Sequence, residues 1–379
     1  MSIPSMIFTR YLYIKEEVEI SLVTCILEKK LDAVFWAYEL FYSGFQTETF
    51  QILWKTYYYF FATLNQSFEA YFMKKHKEWL EEPTDIIISI IVNNLIIRPF
   101  NLDVFILDKI NSHLELDDDE AKPTFQTMLE TQDYLNISAY ILQIQTQGQQ
   151  QQGITQGQQQ ELLNTIASHF VQEKAPAQVK SWLKIIKTNA DISQHIIILS
   201  KVMGYYTKQE NKPKGKNFYI QIEPYEIEKY KTIRTSPNRS AYQLLPIACE
   251  YSIDPYHYLS LFEIARHTEP NPMDIYHSAW LYCASFTPVW ASRIQQYKGT
   301  INHRLKQVDF VSEDSQELFY DNYGYEPDEQ RIEIQYRNIQ PIQHQKSWTS
   351  VFNAHSSNGM LATLDEDIIA AFDRIRLFE

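Results

Sequence analysis

The sequence predicts a mainly α chain: an antiparallel helical array, then a second helical domain, with one short strand pair. Three observations carry this. Only 9 glycines occur in 379 residues, too few for a turn-rich β-sandwich. Apolar residues make up 45% of the chain and aromatic residues 14%, which is ample to cover helices with a buried face. In the N-terminal third, apolar positions recur every three or four residues between short breakers.

Taken in order, Val18, Leu22, Cys25 and Ile26 form a first helical face, and Val34, Phe35, Tyr38 and Tyr42 a second. The second ends at Ser43-Gly44, where glycine can enter the left-handed region that closes a helix. Thr47 is expected to cap a third helix, Glu48 to Leu64. That helix is aromatic almost all round (Phe50, Trp54, Tyr57 to Phe61) and is therefore expected between neighbours on several sides. Ser67 caps a fourth helix reaching Leu80, Thr84 or Asp85 starts a fifth that ends before Arg98-Pro99, and Asp103 to Ile110 is a sixth. Phe35, Trp36 and Tyr38 with Trp54 and Tyr57 are expected to form the N-terminal core. The series resembles HEAT-like arrays or an irregular helical bundle, although no fixed-period repeat is visible.

Residues 1–142 therefore read as an N-terminal helical domain. Residues 143–160 follow, with eleven glutamines plus Gly148, Gly153 and Gly157, and read as a flexible insertion. A second, mainly helical domain is expected over 161–340. Helical patterning covers Glu161 to Val171, Gln178 to Thr188 and Asp191 to Gly204, and Phe218 to Ile222 suits a short strand. Asn271-Pro272 and Thr287-Pro288 each place a capping side chain before a proline suited to the first helical position. Residues 341–379 read as a linker and an amphipathic C-terminal helix.

Composition narrows the chemistry. With 34 Lys plus Arg against 47 Asp plus Glu, the formal charge of -13 repels phosphate and disfavours generic nucleic-acid binding. Cys25, Cys249 and Cys283 are widely spaced, which suits a reduced compartment without a disulfide scaffold. Met1 to Arg10 lacks the basic and long apolar regions of a secretory signal, and the apolar run Ile86 to Ile97 is short of the ~20 residues a membrane helix needs. No membrane association is expected.

Catalytic and cofactor motifs are not found, so the expected activity is non-enzymatic and no cofactor is expected. Gly215-Lys216-Asn217 lacks the upstream glycine and the hydroxyl of a phosphate-binding loop, and no serine sits in a nucleophile elbow. His257, His267 and His277 recur at ten-residue intervals, which does not set imidazoles on one helical face, so they read as surface histidines and not as metal ligands.

Two stretches can meet partners. Nine basic residues against four glutamates lie between Lys201 and Arg239, interleaved with aromatics. Cations beside exposed aromatic rings suit phosphate pairing and base stacking, so Lys212, Lys214, Lys216, Tyr219, Lys229, Lys231, Arg234 and Arg239 are candidate contacts to RNA or a partner protein, a solvated loop being the simpler reading. Ile368, Phe372 and Ile375 share a stripe that either docks on a partner or folds back on the chain's own core.

The run Arg10 to Val18 (RYLYIKEEV) and Phe35 to Phe45 (FWAYELFYSGF), with Ala279-Trp280, Pro288 to Trp290 and Phe319 to Gln330, resemble an uncharacterised protein family of nucleocytoplasmic large DNA viruses. The resemblance touches both ends of the chain and leaves the glutamine-rich stretch without a counterpart. It implies a giant-virus protein in the host cytoplasm, at the viral factory, or in the virion, with other viral or host proteins as partners, and supplies no catalytic residues. The combined expectation is a helical adaptor or scaffold, with a viral gene-expression complex that resembles translation initiation as its expected setting. A virion component such as a minor capsid protein is the alternative, and an RNA-associated protein a further one.

Overall fold

The computed structural model describes residues 7–13, 15–113, 123–150, 156–170, 194–207, 218–231, 258–259, 264–265, 279–323 and 359–361. Helices dominate them: α1 (Lys15–Leu27), α2 (Asp32–Ser43), α3 (Gln46–Thr56), a π-helical turn (Tyr57–Phe61), α4 (Phe68–Glu81), α5 (Ile86–Ile96), α6 (Asp103–His113), α7 (Phe125–Thr131), α8 (Tyr134–Gln150) and α9 (Gln156–Phe170). Then come α10 (Gln194–Tyr206), α11 (Pro224–Lys231), α12 (Trp280–Ala284), α13 (Pro288–Gln296) and α14 (Glu313–Tyr323). Two antiparallel strand pairs join them: the short β1 (Tyr258–Leu259) with β2 (Ile264–Ala265), and β3 (Gly299–Asn302) with β4 (Gln307–Phe310), in which Gly299 faces Phe310 and Asn302 faces Gln307.

The chain divides into two compact units whose segments alternate along the sequence. Unit 1 comprises Met1–Leu53, Lys75–Ile97 and Tyr219–Ser347, and unit 2 comprises Trp54–Lys74, Arg98–Phe218 and Trp348–Glu379. The glutamine-rich stretch lies within unit 2. Its two ends have helical backbone, in α8 and α9, because glutamine loses little side-chain freedom in a helix.

In unit 1 the second helix closes as the sequence requires. Gly44 sits at φ 99°, and its N–H and that of Phe45 bond back to Phe41 and Leu40 carbonyls. Thr287 precedes Pro288 at the start of α13, but its hydroxyl donates to the Phe8 carbonyl instead of capping. The Trp290 indole N–H donates to Thr9 O at 2.9 Å, so the N-terminal segment is tied to α13. Trp280, Trp290, Phe319, Phe8 and Leu12 form one buried cluster, against which Ile301, Val308 and Phe310 of the hairpin pack.

Unit 2 is built around the π-helical turn. The amide of Ala62 bonds to Tyr57 O at 2.8 Å, five residues back, and all five side chains from Tyr57 to Phe61 are buried. Trp54 stacks on Phe72 at 3.7 Å between ring centres, Tyr59 meets Phe105 edge-on, and Phe61 meets Phe100.

Four further expectations need correction. The third helix starts at Gln46, ahead of Thr47, and Thr49 returns its hydroxyl to Phe45 O, so Thr47 caps nothing. Asp85 precedes α5 with a helical backbone and no capping bond, because its carboxylate is engaged elsewhere. The stretch Phe218 to Ile222 is not a strand: the Asn94 side chain donates to Ile220 O at 2.9 Å and accepts from Ile220 N–H at 3.0 Å, doing for that peptide what a neighbouring strand would do. Of the expected aromatic core, Phe35 and Trp36 are only half-buried, against Tyr13, whereas Tyr38, on Tyr42 and Tyr230, and Trp54 and Tyr57, on Phe72, are buried. The expected helices over 178–188 and after Asn271-Pro272 lie outside the described residues.

A Cβ on Gly44 would meet Pro288 Cβ at 2.5 Å and Cγ at 2.8 Å, besides occupying a left-handed backbone. Gly44→Ala should therefore cost about 2 kcal/mol or more in urea unfolding, above the left-handed penalty alone. Gly44→Asn, which tolerates that backbone, should remain destabilised through the proline contact. An unchanged unfolding midpoint in both variants would contradict the packing described.

Candidate functional site

Of the candidate contact residues, Tyr219, Lys229 and Lys231 are described, whereas Lys212, Lys214, Lys216, Arg234 and Arg239 lie outside the described residues, as do Ile368, Phe372 and Ile375 and the histidines at 257, 267 and 277. Lys231 pairs with Glu228 at 2.9 Å and with Asp85 at 3.3 Å, and those carboxylates raise its pKa. The Lys229 ammonium lies over the Tyr230 ring. Helix α11 also carries Glu226, with Glu223 just before it, so the described stretch 218–231 holds three glutamates against two lysines.

The lysine at 231 belongs to a larger assembly in unit 1. Asp85 accepts from the Tyr42 hydroxyl at 2.6 Å, and its carbonyl accepts from the Tyr38 hydroxyl at 3.1 Å. Burial, then the Asp85 carboxylate, pushes both phenols well above their ordinary range, so they act as donors. Tyr38 stacks on Tyr42 and on Tyr230. The Arg10 guanidinium lies 4.8 Å from the Tyr42 ring centre, donates Nε to Glu39 Oε2 at 2.9 Å and Nη1 to Tyr230 O at 3.0 Å. Glu39 Oε1 accepts the Tyr11 amide at 3.0 Å. Both members of the Arg10–Glu39 pair are shielded from water. Removing one partner of such a pair strands the other charge.

Unit 2 holds a second arrangement, which sequence reasoning missed. The π-helical turn presents consecutive tyrosines to two different carboxylates, each shared with a nitrogen-bearing side chain of α10. Tyr58 donates to Glu69 Oε1 at 3.1 Å, and Lys201 donates to Glu69 Oε2. Tyr59 donates to Asp108 Oδ2 at 2.6 Å, and His195 Nε2 lies 2.6 Å from Asp108 Oδ1, which as a carboxylate accepts from the Nε2–H tautomer or the imidazolium. His195 and Lys201 have side chains mostly withdrawn from solvent, at 15% and 11% exposure. Each trio ties the turn to α10 through a phenol and a side-chain nitrogen that share one carboxylate. The missed signal was the run of three tyrosines inside a helix, since phenols on all sides of a buried helix need acceptors.

Other reactive groups are sealed. Burial pushes the Cys25 thiol up to about 12 and the Cys283 thiol to about 11, which keeps both as thiols and poor nucleophiles. Among the described residues no three His, Cys, Asp or Glu side chains gather as metal ligands, and no helix is long and apolar enough to cross a membrane. The chain matches no family profile, no curated protein and no solved structure.

One further carboxylate of unit 2 is fully enclosed. Asp103, at the start of α6, accepts the Met360 and Leu361 amides at 3.0 and 3.2 Å. Burial lifts its pKa from 3.8 to about 6, against the lowering effect of those two bonds. A raised folded pKa means that the native state binds the proton more tightly, so this group's contribution is complete below its unfolded pKa and is lost as pH rises through about 6. The swing is about 3 kcal/mol, at 1.36 kcal/mol for each pKa step. Urea unfolding of wild type and Asp103→Asn should show the variant gaining on wild type by that order between about pH 4 and pH 7. A difference that stays flat with pH would mean that the two amides solvate the carboxylate as well as water does.

Proposed function

We propose that this chain is a non-enzymatic helical scaffold that gathers partner proteins, in the large-DNA-virus setting that its sequence resemblance implies. The observation supporting it is the two-sided character of β3, β4 and α14. One side packs Ile301, Val308, Phe310 and Phe319 into the tryptophan cluster. From the same stretch Leu305, Val311 and Leu318 stand 60%, 68% and 55% exposed. Exposed aliphatics scattered singly are ordinary, but three within one hairpin and its following helix suit a docking face. The two-stranded sheet adds peptide edges that a partner strand can pair with. A place in a viral gene-expression complex is the favoured setting. A lattice contact in a virion would use the same face, and proteomics of purified virions separates the two. The acidic balance of 218–231 weighs against RNA as the main partner.

Photo-reactive side chains installed at positions 305 and 318 should cross-link defined partner proteins in infected cells. Leu305→Ser, Val311→Ser and Leu318→Ser combined should weaken the purified complex about tenfold or more, while far-ultraviolet circular dichroism and melting stay close to wild type. Undiminished affinity in the folded triple variant would remove this face from the proposal.

A further inference from the structure

Helices α7, α8 and α9 of unit 2 enclose a cleft of about 520 Å³, within the size range of small-molecule sites. Its lining is chemically mixed. Phe125 and Tyr140 stack on one another, with ring centres 4.6 Å apart and planes 18° apart, so each covers one face of the other and the pair leaves parallel outer faces, not the several walls of a cage for a round cation. Leu162 and Ile144 add apolar surface, and around them stand the amides of Gln126 and Gln143, the Thr165 hydroxyl and the Glu161 carboxylate. The Thr165 hydroxyl donates to Glu161 O at 3.0 Å, and Gln126 Nε2 donates to Glu130 Oε1 at 2.8 Å, which fixes the orientation of both polar groups. Gln126 Nε2 also lies 3.5 Å from His169 Nδ1.

We infer that this cleft binds a planar, nitrogen-rich heterocycle of the nucleobase or nucleoside class, without a phosphate. A stacked ring pair is extended best by a flat ligand on its outer face, because stacking works on any π face. Carboxamides offer the paired donor and acceptor that base edges require, and a carboxylate accepts from an exocyclic amine or ring N–H. Among the described residues no lysine or arginine lines the cleft, and Glu161 together with the chain's charge of -13 repels a phosphoryl group. Charge therefore separates nucleosides from nucleotides, independently of the protein-docking face proposed above.

Saturation-transfer NMR on the full chain, with adenosine, guanosine, cytidine and adenosine 5′-monophosphate as probes, tests this. At least one nucleoside should receive saturation on its base protons, and the monophosphate should bind about tenfold more weakly than adenosine if adenosine is the nucleoside bound. Glu161→Gln and Thr165→Val change solvent-reaching groups, so the fold should survive, as checked by melting, and each should weaken nucleoside binding severalfold. Tyr140→Leu should abolish the base-proton signal. Three results overturn the inference: no transfer to any nucleoside at millimolar concentration, adenosine monophosphate binding as tightly as adenosine, or nucleoside binding unaffected by all three variants.

Discussion

A carboxylate removed from water must be given partners, and that requirement organises both units of this protein. An isolated buried charge costs many kcal/mol, so every enclosed acid fixes the position of whatever satisfies it. Glu39 recruits Arg10, 29 residues away, and Asp108 recruits His195, 87 residues away. Glu69 takes Lys201 across 132 residues, and Asp103 holds the Met360 amide across 257. Glu69–Lys201 and Asp103–Met360 join separate segments of unit 2, whereas Arg10–Glu39 and Asp108–His195 each bring together distant parts of one segment. The net contribution of each pair is small once desolvation is counted; its effect is to make alternative packings unaffordable, since a shifted register would leave an acid unpaired.

Much of the helical content was legible because it is written locally. The spacing of Val18, Leu22 and Ile26, the glycine after Ser43 and the proline after Thr287 each act within a turn or two of themselves, and helices stand where they predicted. What the sequence did not reveal is long-range. Asp85 looks like a helix cap until Tyr42 and Lys231 are brought to it, and Asn94 looks like a polar interruption of an apolar helix until Ile220 arrives. The same limit hid the candidate site. Tyr58 and Tyr59 read as core aromatics, and nothing near them in sequence announces Glu69 and Asp108 as acceptors, or Lys201 and His195 as their second partners. The π-helical turn that carries both tyrosines has no simple residue signature.

Rigidity of this kind suits a binding role. Phenols held as donors, Cys25 and Cys283 held as thiols and paired buried charges leave those groups little to change, whereas the buried Asp103 titrates near 6. Groups that remain available at the surface include aliphatic side chains on the β3–β4 hairpin and α14, and the mixed aromatic and amide lining of the α7–α9 cleft. One offers area and the other offers shape, the two requirements of macromolecular and small-molecule recognition respectively.

The organising claim concerns pairing of buried acids with distant partners, and the Arg10–Glu39 pair is its cleanest instance, with both side chains almost free of solvent. A double-mutant cycle of Arg10→Met, Glu39→Met and the combination, read by urea unfolding at neutral pH, measures it directly. Each single change should cost about 3 to 5 kcal/mol by stranding the other charge, and the double variant should cost clearly less than the sum. Strictly additive losses would show that the two charges do not depend on one another, and would contradict the account.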